Sequence, residues 1–386
     1  MIIGIPREIM CQENRVSALP DTVREYVAMG FEVLVESQAG AGVFHSNDEY
    51  IEAGANIVED PRTLFDQSDI ILKVKQPLFN ETTAAHETEM LKEGSVLITF
   101  LHPAAPASHE TIKALQQRNI TAFTMDSIPR IPRAQKMDAL TSMSTVSGYK
   151  SVLIAAEHFP RFVPIMGTAN GTIEPANVLV IGAGVVGLQA IATARRLGGR
   201  VQAVDIREDA RKESGSLKAK VIGYEVPDEL AIGSGGYARA LPEDWLVKEQ
   251  LHILSAVKQA DIIILSALVP GEIAPVLITE EMVREMNPGS VIVDVSIDQG
   301  GNCALTEAGK EIVKYDVCIC GAANIPGAVA VDASWLYANN MLEYVRNLFK
   351  NGIGNPDIED EIVRQSIVTC RGRIHHKGTL KAMGQA

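Results

Sequence analysis

Three glycines form a segment of the kind that binds dinucleotide phosphates. Gly182, Gly184 and Gly187 make a G-x-G-x-x-G pattern between an apolar run, Asn177–Ile181, and a helical pattern over Val185–Leu197. In such a place the first glycine makes the tight turn and the second lets the backbone approach a pyrophosphate. The third lets the helix pack closely on the strand. We therefore predict a dinucleotide site here, with a purely structural glycine turn as the alternative.

The acidic residue at the end of the next predicted strand indicates which dinucleotide binds. Asp205 ends the run from Val201, where a carboxylate accepts hydrogen bonds from both ribose hydroxyls and repels a 2′-phosphate. NAD(H) is therefore favoured over NADP(H), although Arg207 would soften that discrimination. Ala183 and Val185 lie in the turn where N–H groups at a helix N-terminus face the phosphates.

Two further loops of this half are candidates for contacting the nucleotide. Ala267 and Leu268 follow the apolar run Ile262–Leu265, at the carboxyl end of a predicted strand. A turn imposed by the following Pro-Gly explains them equally well. The glycine-rich segment IGSGGYAR carries Gly236 and Tyr237 and is a candidate lid. A plain surface loop is its alternative.

Basic residues of the first half suggest a carboxylate site. Arg15, Lys75 and His102 lie in loops or directly after predicted strands, and open α/β sheets bind ligands at the carboxyl ends of their strands. Arginine and lysine can clamp a small carboxylate, and a histidine titrating near neutrality can move a proton. Asp298, after another strand, is placed to orient or share that proton. For each residue alone, a surface cation or a hydrogen-bonded histidine is the simpler explanation.

The segment before the central helical pattern carries a further set of candidate binding residues. Arg130, Arg133, Gln135 and Asp138 follow one another in PRIPRAQKMD. Two isoleucine–proline steps hold this segment extended, so Arg130 is presented on a stiff arm. A cation, an amide and a carboxylate can grip a nicotinamide carboxamide and its ribose. A charged linker is an equally good explanation.

The elements that must position these residues alternate between short β-rich runs and longer helical patterns, which predicts parallel sheets covered on both faces. We expect an α/β fold of two doubly wound Rossmann-like domains separated by a cleft and bridged by two long helices. Residues 1–138 plus 330–386 form the first, discontinuous domain, and residues 139–329 form the NAD(H)-binding domain. The predicted strands are Ile2–Ile5, Phe31–Glu36, Ile70–Val74, Val96–Phe100, Thr121–Met125, Asn177–Ile181, Val201–Asp205, Ile262–Leu265, Val291–Val295 and Val317–Cys320.

Composition excludes several classes of protein. The 386 residues are 46% hydrophobic and 22% charged, as in globular proteins of two domains rather than disordered or coiled-coil chains. The net charge of −13 repels a phosphate backbone, which argues against nucleic acid as a partner. No signal-peptide core or membrane-length apolar run is visible, so we expect a cytoplasmic protein.

The five cysteines are odd in number and scattered along the chain, which does not make a disulfide framework, and we expect them reduced. Cys318 and Cys320 stand at strand spacing in VCICG, so both face the same side. A buried strand is favoured over a metal or redox site. No metal site is predicted.

The chain resembles the superfamily of alanine dehydrogenases and proton-translocating NAD(P) transhydrogenase α-subunits over essentially its whole length. PRIPRAQKMDALTSMSTVSGYK, GGYAR, ALVPGEIAPVLITEEMV and the tail IVTCRGRIHHKGTLKAMGQA are similar to the soluble NAD(H)-binding α1 component of three-gene transhydrogenases. That resemblance implies that Arg130, Gln135 and Asp138 hold the nicotinamide end. It also implies that the loop bearing Tyr237 closes over the nucleotide.

Other residues resemble the alanine dehydrogenases instead. Arg15, Lys75, His102, Asp298 and Asn324 match the substrate-binding and acid–base set of those enzymes. Typical transhydrogenase α-subunits do not keep both that lysine and that histidine. Oxidative deamination needs a general acid and a carboxylate clamp, whereas hydride exchange between nucleotides moves no proton at the reacting carbons.

Three functions follow from the resemblance, and the first is preferred. In the preferred one, we expect the chain to be a transhydrogenase α1 subunit, a homodimer that passes hydride between NADH and NADP⁺. Its partners are an NADP-binding and a membrane-embedded subunit, which would make it peripheral to the inner membrane. Alternatively, it is an NAD-dependent amino acid dehydrogenase that aminates a small 2-oxo acid. The third alternative is a non-catalytic NAD-binding subunit.

Overall fold

The computed structural model describes residues 1–233, 238–269 and 273–385. The chain divides into two units, one formed by Met1–Met143 with Gly327–Ala386 and the other by Ser144–Pro326. Each unit is built around its own β-sheet, with helices between the strands in the chain. The α/β class expected from the alternating pattern is therefore confirmed. Within the described ranges, no helix combines the length and apolarity that a membrane span requires.

The strands are short and mostly buried. In chain order they are β1 Ile2–Ile5, β2 Glu32–Glu36, β3 Asn56–Val58, β4 Ile70–Leu72, β5 Phe79–Asn80, β6 Ala85–His86, β7 Val96–Thr99, β8 Thr121–Thr124, β9 Met166–Thr168, β10 Gly171–Ile173, β11 Asn177–Ile181, β12 Arg200–Val204, β13 Lys220–Val221, β14 Ile262–Leu265, β15 Val291–Asp294, β16 Glu311–Lys314, β17 Val317–Cys320, β18 Ile367–Cys370 and β19 Arg373–Ile374.

The helices lie between these strands, and the longest are α6, α10 and α12. In chain order they are α1 Pro20–Ala28, α2 Asn47–Glu52, α3 Pro61–Gln67, α4 Glu87–Met90, α5 His109–Gln117, α6 Ala139–His158, α7 Val185–Arg196, α8 Glu208–Ser216, α9 Asp228–Ala231, α10 Glu243–Gln259, α11 Glu280–Arg284, α12 Ala330–Leu348, α13 Glu361–Ser366 and α14 Lys377–Ala382.

The first unit contains an eight-stranded sheet of order β19-β18-β8-β7-β4-β1-β2-β3. The pairs from β8 to β3 are parallel, whereas β18 pairs antiparallel with β8 and with β19. The parallel strands expected from the alternating pattern are confirmed, and β18 and β19, which the pattern did not reveal, add an antiparallel edge. The chain reaches β18 after α12 and α13 and runs opposite to β8, and a two-residue turn then returns it to β19.

The second unit contains a seven-stranded sheet of order β13-β12-β11-β14-β15-β17-β16. Among the described strands of this sheet, only the edge pair of β16 with β17 is antiparallel. Both faces are buried: on β11, Val178 and Val180 pack with α6 and α7, whereas Leu179 and Ile181 pack with α10. Continuous burial of successive residues explains why these strands read as unbroken apolar runs.

Candidate functional site

The glycine-rich turn joins β11 to α7 in the second unit. Gly182 has a φ of +87°, and a Cβ there would lie 2.6 Å from the Ala267 nitrogen. A Cβ at Gly187 would lie 1.9 Å from the Gly182 carbonyl oxygen, so a larger residue would push the helix off the strand. At Gly184 the space is open, with Arg207 Nη2 the nearest atom at 4.0 Å. The three glycines thus make a turn, an open approach and a tight packing contact.

The N-terminus of α7 is suited to an anion. The helix begins at Gly184 with no side chain capping it, so the N–H groups of its first turn, from Val185 onward, and the positive end of the helix dipole face outward. The Ala183 N–H donates to Asp205 Oδ2 at 2.7 Å, which ties the turn to the end of β12. These features fit the pyrophosphate of a dinucleotide.

Asp205 is buried and held by two partners. Besides the Ala183 N–H, its carboxylate accepts from Arg207 Nε at 3.0 Å and Nη2 at 2.9 Å. Burial would lower the pKa of Arg207, but the hydrogen bonds and charge of Asp205 raise it. The carboxylate is therefore oriented at the end of β12, and a guanidinium stands between it and the open side of Gly184.

A second carboxyl group lies near this pair and was not identified from the sequence. Glu249 of α10 is 4% exposed. Burial, reinforced by the negative charge of Asp205, raises its pKa to about 7. In its protonated form Glu249 can donate a hydrogen bond, whereas the Asp205 carboxylate only accepts them.

The loop after β14 packs on the glycine turn. Ser266 Oγ donates to the Gly182 carbonyl at 2.8 Å, and Ala267 N–H donates to Asn302 Oδ1 at 2.9 Å. Asn302 Nδ2 returns a bond to the Ala267 carbonyl at 2.9 Å. Leu268 follows, half-buried. Asn302 was not predicted, yet it fixes the backbone beside the turn.

The remaining predicted residues of the second unit have different surroundings. Asp298 is exposed on a short 3-10 helix, Ile297–Gln299. Asn324 is buried with a φ of +53°. Gly236 and Tyr237, the candidate lid residues, lie outside the described residues.

In the first unit, Arg15 is buried against Glu13. The two side chains form a bidentate ion pair: Arg15 Nε lies 2.8 Å from Glu13 Oε1, and Arg15 Nη2 lies 2.5 Å from Glu13 Oε2. Burial favours a raised pKa for Glu13, but the bonds and charge of Arg15, aided by the charge of Lys75, lower it. Lys75 therefore lies near this pair. The positive charges of both predicted cations, Arg15 and Lys75, therefore act on Glu13.

The neighbouring Lys73, which the sequence analysis passed over, is fully buried. Its Nζ lies 3.0 Å from Glu87 Oε1 and 3.4 Å from Glu8 Oε2. Burial would lower the pKa of Lys73, but these two carboxylates raise it. Glu8 also accepts from the Val74 N–H at 2.6 Å. This buried cluster fixes the backbone that presents Lys75, and breaking one side would leave an uncompensated charge.

His102 forms an acid–imidazole pair with Asp126. Its Nδ1 lies 2.8 Å from Asp126 Oδ1, and its backbone N–H donates to Oδ2 at 2.8 Å. The ring of Phe100 stacks on the His102 imidazole, with 5.9 Å between the ring centroids. Burial acts to raise the pKa of Asp126, but the charge and hydrogen bonds of His102, with Thr124, lower it to about 2. A carboxylate on Nδ1 fixes the tautomer and makes Nε2 the atom that would transfer a proton.

The segment before α6 presents its polar residues in two ways. Arg130 and Gln135 are exposed, whereas Asp138 accepts from the Thr141 N–H at 2.8 Å and hydroxyl at 2.6 Å at the start of α6. Arg133 donates to a carboxylate and an amide of the C-terminal segment at 2.8 and 2.9 Å. Arg133 is therefore a structural contact, while Arg130 and Gln135 face outward.

Both units match one family of known proteins. The domain described as "Alanine dehydrogenase/PNT, N-terminal domain" matches residues 4–147, and "Alanine dehydrogenase/PNT, C-terminal domain" matches residues 151–377. The chain belongs to the alanine dehydrogenase/PNT family.

Members of the alanine dehydrogenase/PNT family with two different names are similar to the whole chain. An NAD(P) transhydrogenase alpha subunit of Rhodospirillum rubrum is 43% identical over 97% of this chain and 98% of its own length. Alanine dehydrogenase of Methanococcus maripaludis is 33% identical over 99% and 96%. A transhydrogenase crystal structure from Sinorhizobium meliloti is 36% identical over 97% of this chain and 100% of its own, with a TM-score of 0.84. These are oxidoreductases, and an enzymatic role follows for the chain.

In this alanine dehydrogenase/PNT fold, some residues missed in the sequence did carry a signal. Asp126 follows a strand at the same sheet edge as His102, so its position alone was informative. Lys73 also directly follows a strand, β4, whereas Asn302 had no such mark. Their roles depend on which backbone atoms and carboxylates the fold brings to them.

Proposed function

We propose that the chain is the NAD(H)-binding α1 component of a proton-translocating transhydrogenase, passing hydride between NADH and NADP⁺ held on a partner subunit. The observation that carries this choice is the greater identity to a transhydrogenase subunit, 43%, than to an alanine dehydrogenase, 33%. The proposed assembly is a homodimer, cytoplasmic and peripheral to the membrane through membrane-embedded and NADP-binding subunits.

The nucleotide is proposed to bind in the second unit. The open side of Gly184 lets the backbone approach the pyrophosphate, and the first turn of α7 donates N–H groups to it. Asp205 accepts from the adenosine ribose hydroxyls. The loop of Ala267 and Leu268 supports the turn from the side, because Ser266 is bonded to the Gly182 carbonyl.

Arg130, Gln135 and Asp138 are proposed to hold the nicotinamide end. Bound NADH supplies the hydride from its dihydronicotinamide ring. The chain's own task is then to orient that ring and exclude water, since hydride exchange moves no proton at the reacting carbons. Asp138 is already fixed by Thr141, whereas Arg130 and Gln135 lie at the surface, where a ligand can reach them.

A second function is favoured by the His102–Asp126 pair. An amino acid dehydrogenase needs a carboxylate clamp and a proton carrier. Arg15 and Lys75 supply two cations, and His102 has the orienting carboxylate of a general acid–base. The candidate reaction is reductive amination of a small 2-oxo acid with NADH, and Asp298 and Asn324 complete the set that the family resemblance implies.

One assay separates these functions. The purified chain is expected to bind NADH, to leave it unoxidised with pyruvate or other small 2-oxo acids plus ammonia, and to oxidise it once a heterologous NADP-binding subunit with NADP⁺ is added. NADH absorbance reports each case. Turnover of an oxo acid that falls by about 10²–10⁴-fold in His102→Ala, the usual size of a general acid–base contribution, would establish the dehydrogenase instead.

Arg130→Ala is expected to slow partner-dependent hydride transfer about 100-fold, because a displacement of about 1 Å at the reacting ring has that effect. NADH affinity should change much less, since the pyrophosphate and ribose contacts remain. Lys136→Ala removes an exposed cation from the 3-10 helix Pro132–Met137, which directly follows the segment of Arg130; it is the matched control and should leave the rate intact. Equal rates for Arg130→Ala and the unmodified chain would remove Arg130 from the nicotinamide site.

A further inference from the structure

Three side chains that the proposed function does not use, those of His158, Glu311 and Cys320, meet at one edge of the second unit. His158 is the last residue of α6, and Glu311 begins β16. Glu311 stands directly opposite Cys320 in the β16–β17 ladder, and Cys318 lies two residues before Cys320 on the same face. The sequence favoured a plain buried strand for the two cysteines, because nothing in VCICG shows that a histidine and a glutamate come from elsewhere.

The ligand atoms of His158, Glu311 and Cys320 lie close together. His158 Nε2 lies 3.2 Å from Glu311 Oε1. Each of the three residues offers one ligand atom, and these three atoms lie within 4.8 Å of one another. The sulfurs of Cys318 and Cys320 are 3.7 Å apart. A tetrahedral zinc, bonded at about 2.0 Å to nitrogen or oxygen and about 2.3 Å to sulfur, separates its ligand atoms by about 3.3–3.8 Å.

We propose that His158, Glu311 and Cys320 form a three-residue zinc-binding site at the edge of the second unit's sheet, with the fourth zinc position open to a solvent ligand. Thiolate with imidazole selects zinc over the hard cations magnesium and calcium, which take oxygen ligands. Coordination replaces the Cys320 thiol proton, which passes to the buffer, so the sulfur–metal bond forms without an oxidant.

The burial of the three groups allows a metal to enter and be held. The Cys320 side chain is fully buried, whereas the His158 and Glu311 side chains are 28% and 56% exposed. The sulfur side of the site is therefore shielded, and the imidazole–carboxylate side is open to solvent. A bound ion would join the end of α6 to β16, an exposed antiparallel edge strand that pairs with β17 in the sheet.

The test is metal binding by the full chain without nucleotide. Zinc should bind at one equivalent per chain in competition with a chromophoric chelator and raise the thermal midpoint. Cobalt(II) should give sulfur-to-cobalt charge-transfer absorption with tetrahedral d–d bands. His158→Ala and Cys320→Ala should each weaken zinc binding by at least about 10- to 100-fold, the loss seen even for outer-shell partners.

Two further variants make the result decisive. Cys11→Ser removes an exposed thiol elsewhere and should leave zinc affinity unchanged. Glu311→Gln keeps the side-chain volume and should weaken binding without changing the midpoint of the metal-free protein. Absence of stoichiometric zinc binding, or binding that persists in His158→Ala and Cys320→Ala, would show an ordinary surface ion pair over a buried strand and overturn the proposal.

Discussion

Asp205→Ala is expected to exchange nucleotide preference. NADH should bind more weakly by about 1–3 kcal/mol, the contribution of charge-assisted hydrogen bonds to the ribose. NADPH should bind more tightly, because the carboxylate that repels a 2′-phosphate is gone and Arg207, now without its partner Asp205, can pair with the phosphate. The ratio of the two dissociation constants should shift by roughly 30- to 1,000-fold, or about 2–4 kcal/mol.

The double variant Asp205→Ala/Arg207→Ala isolates the role of the guanidinium. It should keep the loss of NADH affinity and lose the gain for NADPH, since the cation that would pair with the 2′-phosphate is removed. Fluorescence titration with both nucleotides measures the dissociation constants of the unmodified chain and of the two variants. An NADH titration of Asp205→Ala that matches the unmodified chain would exclude Asp205 from the ribose site.

The fold class could be predicted because local pattern and burial agree. The runs at Asn177–Ile181 and Ile262–Leu265 are almost wholly apolar, as a strand buried on both faces requires, and both are strands. Helix α10 was not predicted. It starts after Pro242 without a side-chain cap, and buried Glu249 interrupts its apolar stripe, so the usual start signal and periodicity are both weak.

Within the candidate site, the sequence reveals those residues whose type is dictated by the backbone geometry. A turn that needs φ of +87° at Gly182 and a Cβ-free contact at Gly187 leaves a mark in the sequence, because other residues do not fit. The Asp205–Arg207 pair or the His102–Asp126 pair requires side-chain directions that spacing does not give. Lys73 and Lys75 are two residues apart, and only the burial of Lys73 shows that its role is structural.

The glycine turn itself gives the most direct test of the nucleotide site. Gly184→Ala introduces a methyl group where no atom lies closer than 4.0 Å, at a φ of −77° that alanine adopts freely. The folded protein should keep its thermal midpoint. NADH binding should nevertheless weaken by about 2 kcal/mol or more, since the methyl group separates the backbone from the pyrophosphate and a hydrogen bond to a charged group contributes about 1.5–3 kcal/mol.

Gly187→Ala should act on the fold first and on the nucleotide second. Its Cβ overlaps the Gly182 carbonyl oxygen at 1.9 Å, so α7 must move off β11, at a cost of about 1–3 kcal/mol as for other overpacked positions. Gly223→Ala, with nothing within 4 Å, is the control that changes neither midpoint nor affinity. Because a ligand-free structural turn predicts loss only at Gly187, unchanged NADH affinity in Gly184→Ala would leave the three glycines with a packing role alone.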